Sequence, residues 1–237
     1  MRVVAVVQAR FSSQRLPGKV LRPLCGSPML SHLLDGLERC DVLHDLVLAT
    51  SVDASDDAVA AYSDNRGVRC YRGPLDDVAT RMLEAARSAG GDAFVRVNGD
   101  SPLLDPEIVR RGVALFLERP VDVATNVRPR SFPRGQSVEV IAVAALNRAV
   151  SRMTTPAERE HVTQHFYAHP SAFSIVAFGA ERPRPEVQLS VDEPQDLDRC
   201  ERILRALGRP HWMAGWEECV RAYDALSSSS ASSGARG

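Results

Sequence analysis

Two arginines, a lysine, two serines and a Pro-Gly pair crowd into "QARFSSQRLPGKVL", Gln8 to Leu21, directly after the apolar run "VVAVV". A turn at the end of a strand exposes backbone N–H groups, and Gly18 lets that backbone come close to a ligand. Arg10, Arg15 and Lys19 surround the turn. A cation about 4 Å from a phosphate charge contributes on the order of 4 kcal/mol before desolvation, at an effective dielectric of about 20. Three such cations suit a polyphosphate better than a lone carboxylate, and Ser12 and Ser13 add hydroxyl donors. The loop matches neither the Walker A pattern nor G-x-G-x-x-G, and taken alone it reads equally well as a solvated basic loop.

Two aspartates sharpen that reading. "VRVNGDSPLLDP" sets Asn98, Gly99 and Asp100 directly after an apolar strand pattern, and "LSVDEPQDL" sets Asp192 at the end of another. A strand-end carboxylate suits Mg²⁺, which takes one or two carboxylates and fills its remaining positions with phosphate oxygens and water. Each aspartate alone could equally be a turn or cap residue. Together with the cationic turn they form a set for nucleotide chemistry, with cations for phosphates and carboxylates for a metal.

Other residues carry weaker signals. Thr50, Ser51 and Asp53 follow the second strand and could line a base pocket, or simply start a capped helix. Arg72, Gly73 and Asp77 lie near the end of the third strand. "NVRPRSFPRG" carries Arg128, Arg130 and Arg134, either an acceptor-side loop or an exposed basic one. His161, His165 and His169 recur every fourth residue, which on a continuous helix is one face. That spacing fits a surface stripe better than a metal site.

The elements that must position these groups alternate. Strand patterns at 2–7, 45–50, 68–71 and 93–97 are separated by helical patterns at 28–40, 55–65 and 74–90. This order implies βαβ units and a mostly parallel sheet, whose ligands bind outside the carboxyl ends of the strands. The second half reads as helix 105–118, strand 137–143, helical stretches around 144–152 and 156–168, strands 173–178 and 187–191, and helix 194–207. Residues 1–226 read as one domain, and the Ser-rich stretch 227–237 as a disordered tail.

A hydrophobic content of 44% over 237 residues supports a sizeable core. A formal net charge of −1 provides no overall field for nucleic acid or membrane, so any anion site must be local. No apolar run approaches the ~18 residues of a membrane span, and a cytoplasmic location is expected by default. Five scattered cysteines without C-x-x-C read as reduced thiols.

In order along the chain, "VVQARFSSQRLPGKVL", "VRVNGDSPLLDPEIV", "SVEVI", "EREHVT" and "LSVDEPQDL" resemble the cytidylyltransferases. "EREHVT" narrows the likeness to the spore-coat polysaccharide type, with acylneuraminate and 3-deoxy-manno-octulosonate cytidylyltransferases as relatives. The resemblance implies a three-layer α/β/α fold of nucleotide-diphospho-sugar transferase type, often as a homodimer. It implies attack by an acceptor oxygen on the α-phosphate of CTP, with Mg²⁺ present and pyrophosphate leaving. It implies triphosphate contacts at Arg10, Ser13, Arg15 and Lys19, metal ligands at Asp100 and Asp192, and a nucleotide border at 72–77. Lys19, Arg10 and Asp100 are the expected catalytic residues. Glu139, Arg159, Glu160 and His161 are the expected acceptor side, for a sugar, sugar acid or phosphonate. Phe11-Ser12 departs from the methionine and glycine frequent in relatives and stiffens the loop. The competing readings are a glycosyltransferase or sugar-1-phosphate nucleotidyltransferase of the same fold, and a nucleotide-binding module without turnover.

Overall fold

The sequence alternates apolar side chains to both faces of its first strand, and the fold buries both. In a computed structural model that describes residues 1–13 and 15–233, β1 (Val3–Gln8) sends Val3, Ala5 and Val7 into one core layer and Val4 and Val6 into another. Such a two-faced run is the mark of a central parallel strand. β1 lies between β4 (Leu46–Ser51) and β6 (Ala93–Asn98), parallel to both, and β5 (Arg69–Gly73) continues the sheet beyond β4. The strands β2 (Pro23–Leu24) and β3 (Ser27–Pro28) form a separate small hairpin.

Beyond β6 the sheet changes direction. β8 (Glu139–Ala142) runs antiparallel to β6 and to β7 (Val123–Thr125), and β9 (Ile175–Ala177) closes the edge, parallel to β7. The order is β5-β4-β1-β6-β8-β7-β9. Helices α1 (Met29–Leu37), α2 (Asp57–Arg66) and α4 (Pro106–Glu118) cover one face, with α8 (Pro194–Leu207) and α9 (Trp216–Ser233). Helices α3 (Val78–Ser88) and α5 (Val143–Val150) cover the other, with α7 (Gln164–Ala168). The result is the expected three-layer α/β arrangement with a mostly parallel sheet.

The register decides where a site can form. Gln8 stands beside Ala49 and Asn98, and Ser51 beside Gly73, so the carboxyl ends of four parallel strands reach one edge. Because β8 is antiparallel, its first residue, Glu139, pairs with Arg96 at that same edge.

Three expectations need correction. Residues 187–191 are not a strand. They form a single bridge between Gln188 and Arg134, made by the Arg134 N–H on the Val187 carbonyl and the Leu189 N–H on the Arg134 carbonyl, while the Val191 N–H donates to the Asp100 carbonyl. The helical stretch 156–168 is broken into α6 (Pro156–Glu160) and α7, because the backbone leaves the helical region at His161, with φ −102° and ψ 66°. The tail is helical as far as Ser233. Leu226 still packs on the core, and the Ser227 and Ser228 hydroxyls bond back to the Tyr223 and Asp224 carbonyls. The remaining tail residues, 234–237, lie outside the described residues.

Gly135 fixes how the 187–191 segment approaches the sheet. Its φ is +94°, and an added Cβ would lie 2.6 Å from the Ser190 backbone nitrogen. Left-handed backbone costs an L-residue roughly 1–2 kcal/mol before any clash. Gly135→Ala should therefore lower the melting temperature by at least about 4 °C, at roughly 2–4 °C per kcal/mol for a chain of this size. Thermal unfolding followed by circular dichroism checks this, and an unchanged melting temperature would refute it.

Candidate active site

The first loop is folded onto its neighbours by its own backbone. The Phe11 carbonyl accepts from Ser13 and Gly18 N–H, and the Phe11 N–H donates to Asp56 Oδ1 at 2.6 Å. The Phe11 ring lies over Gly18, where an added Cβ would come within 2.9 Å of it. Phe11 thus closes the turn that carries Lys19. Gly99 makes a second close approach, donating to the Gln8 carbonyl at 2.8 Å, where a Cβ would meet the same oxygen at 3.0 Å. The two strand ends therefore touch, and Asp100 is carried to the cationic loop.

Lys19 is the centre of the site. Its Nζ donates to Asp100 Oδ2 at 2.9 Å, to the Val191 carbonyl at 2.7 Å and to Asp192 Oδ1 at 3.3 Å, and only 12% of its side chain is exposed. Arg15 also reaches Asp192, at 2.9 Å, and Arg10 pairs with Glu160 at 2.7 Å. These groups line a cleft of about 920 Å³ with Ser12, Ser13, Asn98 and Asp76. A second cavity of about 400 Å³ lies on the β8 side and shares Asn98 and His161 with the cleft. Its floor is Glu139, which accepts from Tyr167 at 2.5 Å, Arg96 at 2.8 Å and Thr163 at 3.3 Å. Burial, and then the Glu139 charge, push the Tyr167 hydroxyl far above its usual range, so it stays a donor.

Arg10, Ser12, Ser13, Arg15, Lys19, Asn98, Asp100 and Asp192 therefore come together as expected. Other expected nucleotide contacts do not reach the cleft. Thr50 is fully buried within β4. Arg72 clamps the Ser51 and Asp53 carbonyls and pairs with Asp57. Gly73 is packed under Tyr71 and Arg81. Asp77 caps α3 through the Thr80 N–H and pairs with Arg159 at 2.5 Å. The neighbours Leu75 and Asp76 line the cleft instead.

The acceptor side also separates. Glu139 is buried and already holds three donors, so it braces the cavity rather than offering a free carboxylate. Arg159 faces Asp77, Glu160 faces Arg10, and His161 faces both cavities. The helix break parts His161 from the other two histidines, whose rings stay 4.3 Å apart. His165 turns inward to Glu158 at 2.7 Å, and His169 bonds the His165 carbonyl. Arg128 and Arg130 border the second cavity from a loop in which Arg128 and Arg134 are exposed and Arg130 is half-buried. Burial, and then Arg134, lower the Arg130 pKa, which marks an electropositive wall.

Two contributors were missed by sequence reasoning. Arg96 interrupts the apolar run "AFVRV", and a lone cation there points to a partner across the sheet. Arg81 is fully buried in α3 and donates to the Pro74 and Leu75 carbonyls, fixing the loop that borders the cleft. It sits in an otherwise ordinary helical pattern, and nothing in the sequence separates it from a surface arginine.

The donor set fits a hard divalent cation. Two carboxylates converge on one point, and the described residues hold no group of three or more His, Cys, Asp or Glu side chains able to bind a metal alone. Asp100 and Asp192 could hold Mg²⁺ with phosphate oxygens and water completing its shell.

A family model described as cytidylyltransferase matches residues 4–218. Spore coat polysaccharide biosynthesis protein SpsF of Bacillus subtilis is 28% identical over 87% of this chain and 88% of its own length. A 3-deoxy-manno-octulosonate cytidylyltransferase of Anaeromyxobacter is 35% identical over 59% of this chain and 58% of its own. The solved structure of a cytidylyltransferase from Leptospira borgpetersenii covers 96% of both chains with a TM-score of 0.91 and 27% identity.

Lys19→Met leaves Asp100 and Asp192 facing each other without their shared cation. Breaking a buried pair costs about 3–5 kcal/mol, and these half-exposed carboxylates should lose less. In EDTA the variant should melt several degrees below the unsubstituted protein. Millimolar Mg²⁺ should raise the variant's melting temperature more than that of the unsubstituted protein, because the metal replaces the missing charge. Equal Mg²⁺ shifts in the two proteins would contradict the convergence of these carboxylates on a metal.

Proposed function

The chain belongs to the cytidylyltransferase family and is a nucleotidyltransferase, and on that footing we propose that it moves CMP from CTP to an acidic, hydroxyl-bearing acceptor, with Mg²⁺, releasing pyrophosphate. The observation that carries this reading is the pair of joined cavities: a cleft with Lys19 between two carboxylates, opening at Asn98 and His161 into a cavity lined by Arg96, Arg128 and Arg130.

Charge makes the nucleotide half specific. In the cleft every cation, Arg10, Arg15 and Lys19, is engaged by a carboxylate. A triphosphate adds more negative charge, so it needs a further cation. Asp100 and Asp192 would hold Mg²⁺, which would supply positive charge for the phosphates. Lys19 would then turn its ammonium to the leaving pyrophosphate, and Arg10 and Arg15 would neutralise the remaining charge. Nucleotidyl transfer needs such positioning and neutralisation more than covalent chemistry. The base lies on the Leu75–Asp76 side, where backbone groups held by Arg81 can match cytosine.

The acceptor half is electropositive. Arg96 is answered by Glu139, but among the described residues Arg128 has only the Tyr167 ring at 4.7 Å and the Arg130 side chain only the Ser137 hydroxyl. A carboxylate or phosphonate on the acceptor would complete them. The 3-deoxy-manno-octulosonate named for the Anaeromyxobacter relative is an acceptor of this chemistry.

Pyrophosphate release with CTP and Mg²⁺ across sugar acids, neutral sugars and phosphonates tests the reading. Acidic acceptors should be turned over and neutral sugars should not. CTP should exceed UTP by roughly 10- to 100-fold in kcat/KM, because uracil presents an acceptor where cytosine presents a donor, a mismatch of ~1–3 kcal/mol. Equal use of UTP, or turnover of neutral sugars alone, would refute it.

A further inference from the structure

Among the described residues the carboxylates of the nucleotide cleft are engaged by cations, Asp76 excepted. Asp100 and Asp192 are bonded to Lys19, and Glu160 to Arg10. Across the shared wall Glu139 is saturated by three donors. Asp76 lines the cleft but not the acceptor cavity.

The six histidines divide sharply. His32, His44, His169 and His211 each bond a backbone carbonyl through a ring nitrogen, and His165 bonds Glu158. His161 alone makes no side-chain hydrogen bond or ion pair among the described residues, and its ring is exposed where the two cavities meet. Its placement is built by the chain. The Thr155–Glu158 capping box starts α6, the helix ends at His161 with φ −102° and ψ 66°, Val162 enters the core, and Thr163 bonds Glu139. This break turns His161 away from its neighbours and toward the junction.

We propose that His161 is the catalytic base of the transfer, an inference that rests on the cytidylyltransferase reading above. An imidazole nitrogen accepts the proton from the acceptor hydroxyl. The freed oxygen attacks the α-phosphorus and forms the new P–O bond, and the bond to the bridging oxygen of pyrophosphate breaks. The leaving pyrophosphate carries the electron pair into the field of Lys19, Arg10 and Arg15. The imidazolium returns its proton to solvent, with no other reactant needed. The cavities His161 faces are lined by the Arg10–Glu160 pair, Arg15, Asp76 and the Lys19–Asp100–Asp192 cluster on the nucleotide side, and by Arg128, Arg130, Tyr167 and the Arg96–Glu139 pair on the acceptor side.

The test measures kcat from pH 5.5 to 8.5 with CTP, Mg²⁺ and the best acceptor of the panel above. The kcat of the unsubstituted enzyme should fall toward the acid end of this range, since a protonated base cannot accept another proton. His161→Gln should lower the plateau by ~10²-fold and abolish this acid limb, a loss typical of a missing general base. Its CTP affinity by calorimetry should stay within about threefold of the unsubstituted enzyme, well under the tenfold that corresponds to 1.4 kcal/mol. His161→Ala should regain activity when free imidazole is added, and His169→Gln should behave as the unsubstituted enzyme. Retention of the acid limb in His161→Gln, or absence of rescue with kcat unchanged, overturns the inference while leaving the transferase reading intact. Failure of the unsubstituted enzyme to release pyrophosphate with any acceptor overturns both.

Discussion

One ammonium group ties the site together. Lys19 Nζ bonds the Asp100 carboxylate, the Val191 carbonyl and the Asp192 carboxylate, and so joins three chain segments far apart in sequence. Carboxylates held this close repel each other unless a cation lies between them. Here Lys19 supplies that charge and locks the segments together. In the function proposed above, a divalent ion would take its place and leave the lysine free to serve phosphate. The rest of the fold maintains this meeting point: parallel register brings Gln8 and Asn98 level, Gly99 lets their loops touch, and Gly135 seats the segment that ends at Asp192.

Much of this was legible in the sequence. Four parallel strands and the helices between them follow from short apolar runs alternating with helical periodicity, and α8 begins and ends where its pattern does. The strand-end aspartates and the cationic turn stand where a parallel sheet places its ligands. What failed did so for tertiary reasons. Residues 187–191 have a strand's alternation but no neighbouring strand with free N–H and C=O groups. The His161–His169 stripe assumed a continuous helix, but the chain leaves the helical region at His161 and resumes it only at Gln164. Asp77 was expected at the nucleotide, yet it is satisfied by Thr80 and Arg159 outside the cleft, and Glu139, though it lines the second cavity, is held by protein donors that no local pattern reveals. Strand β7 is only three residues long, too short for alternation to mark it.

The two halves of the site differ in how they are built. The nucleotide half consists of strand ends and a tight loop, with cations and carboxylates neutralising one another. The acceptor half hangs on the 127–137 loop, braced from behind by buried amides. Asn126 bonds the Gln136 carbonyl and the Val138 N–H, and Gln136 bonds the Leu103 carbonyl and the Asp105 N–H. Such satisfied buried polar groups rigidify a loop that has few apolar anchors. Its arginines can then stay unpaired toward an anion without the loop collapsing onto nearby carboxylates.

The central claim is that a divalent cation takes over the two carboxylates when nucleotide binds. Calorimetric titration of CTP with and without Mg²⁺ tests it most directly, using the unsubstituted protein and Asp100→Asn. The account predicts that Mg²⁺ tightens CTP binding at least about tenfold, or 1.4 kcal/mol, in the unsubstituted protein and that this gain is lost in Asp100→Asn. Equal CTP affinity in Mg²⁺ and in EDTA, or an undiminished gain in the variant, would contradict it.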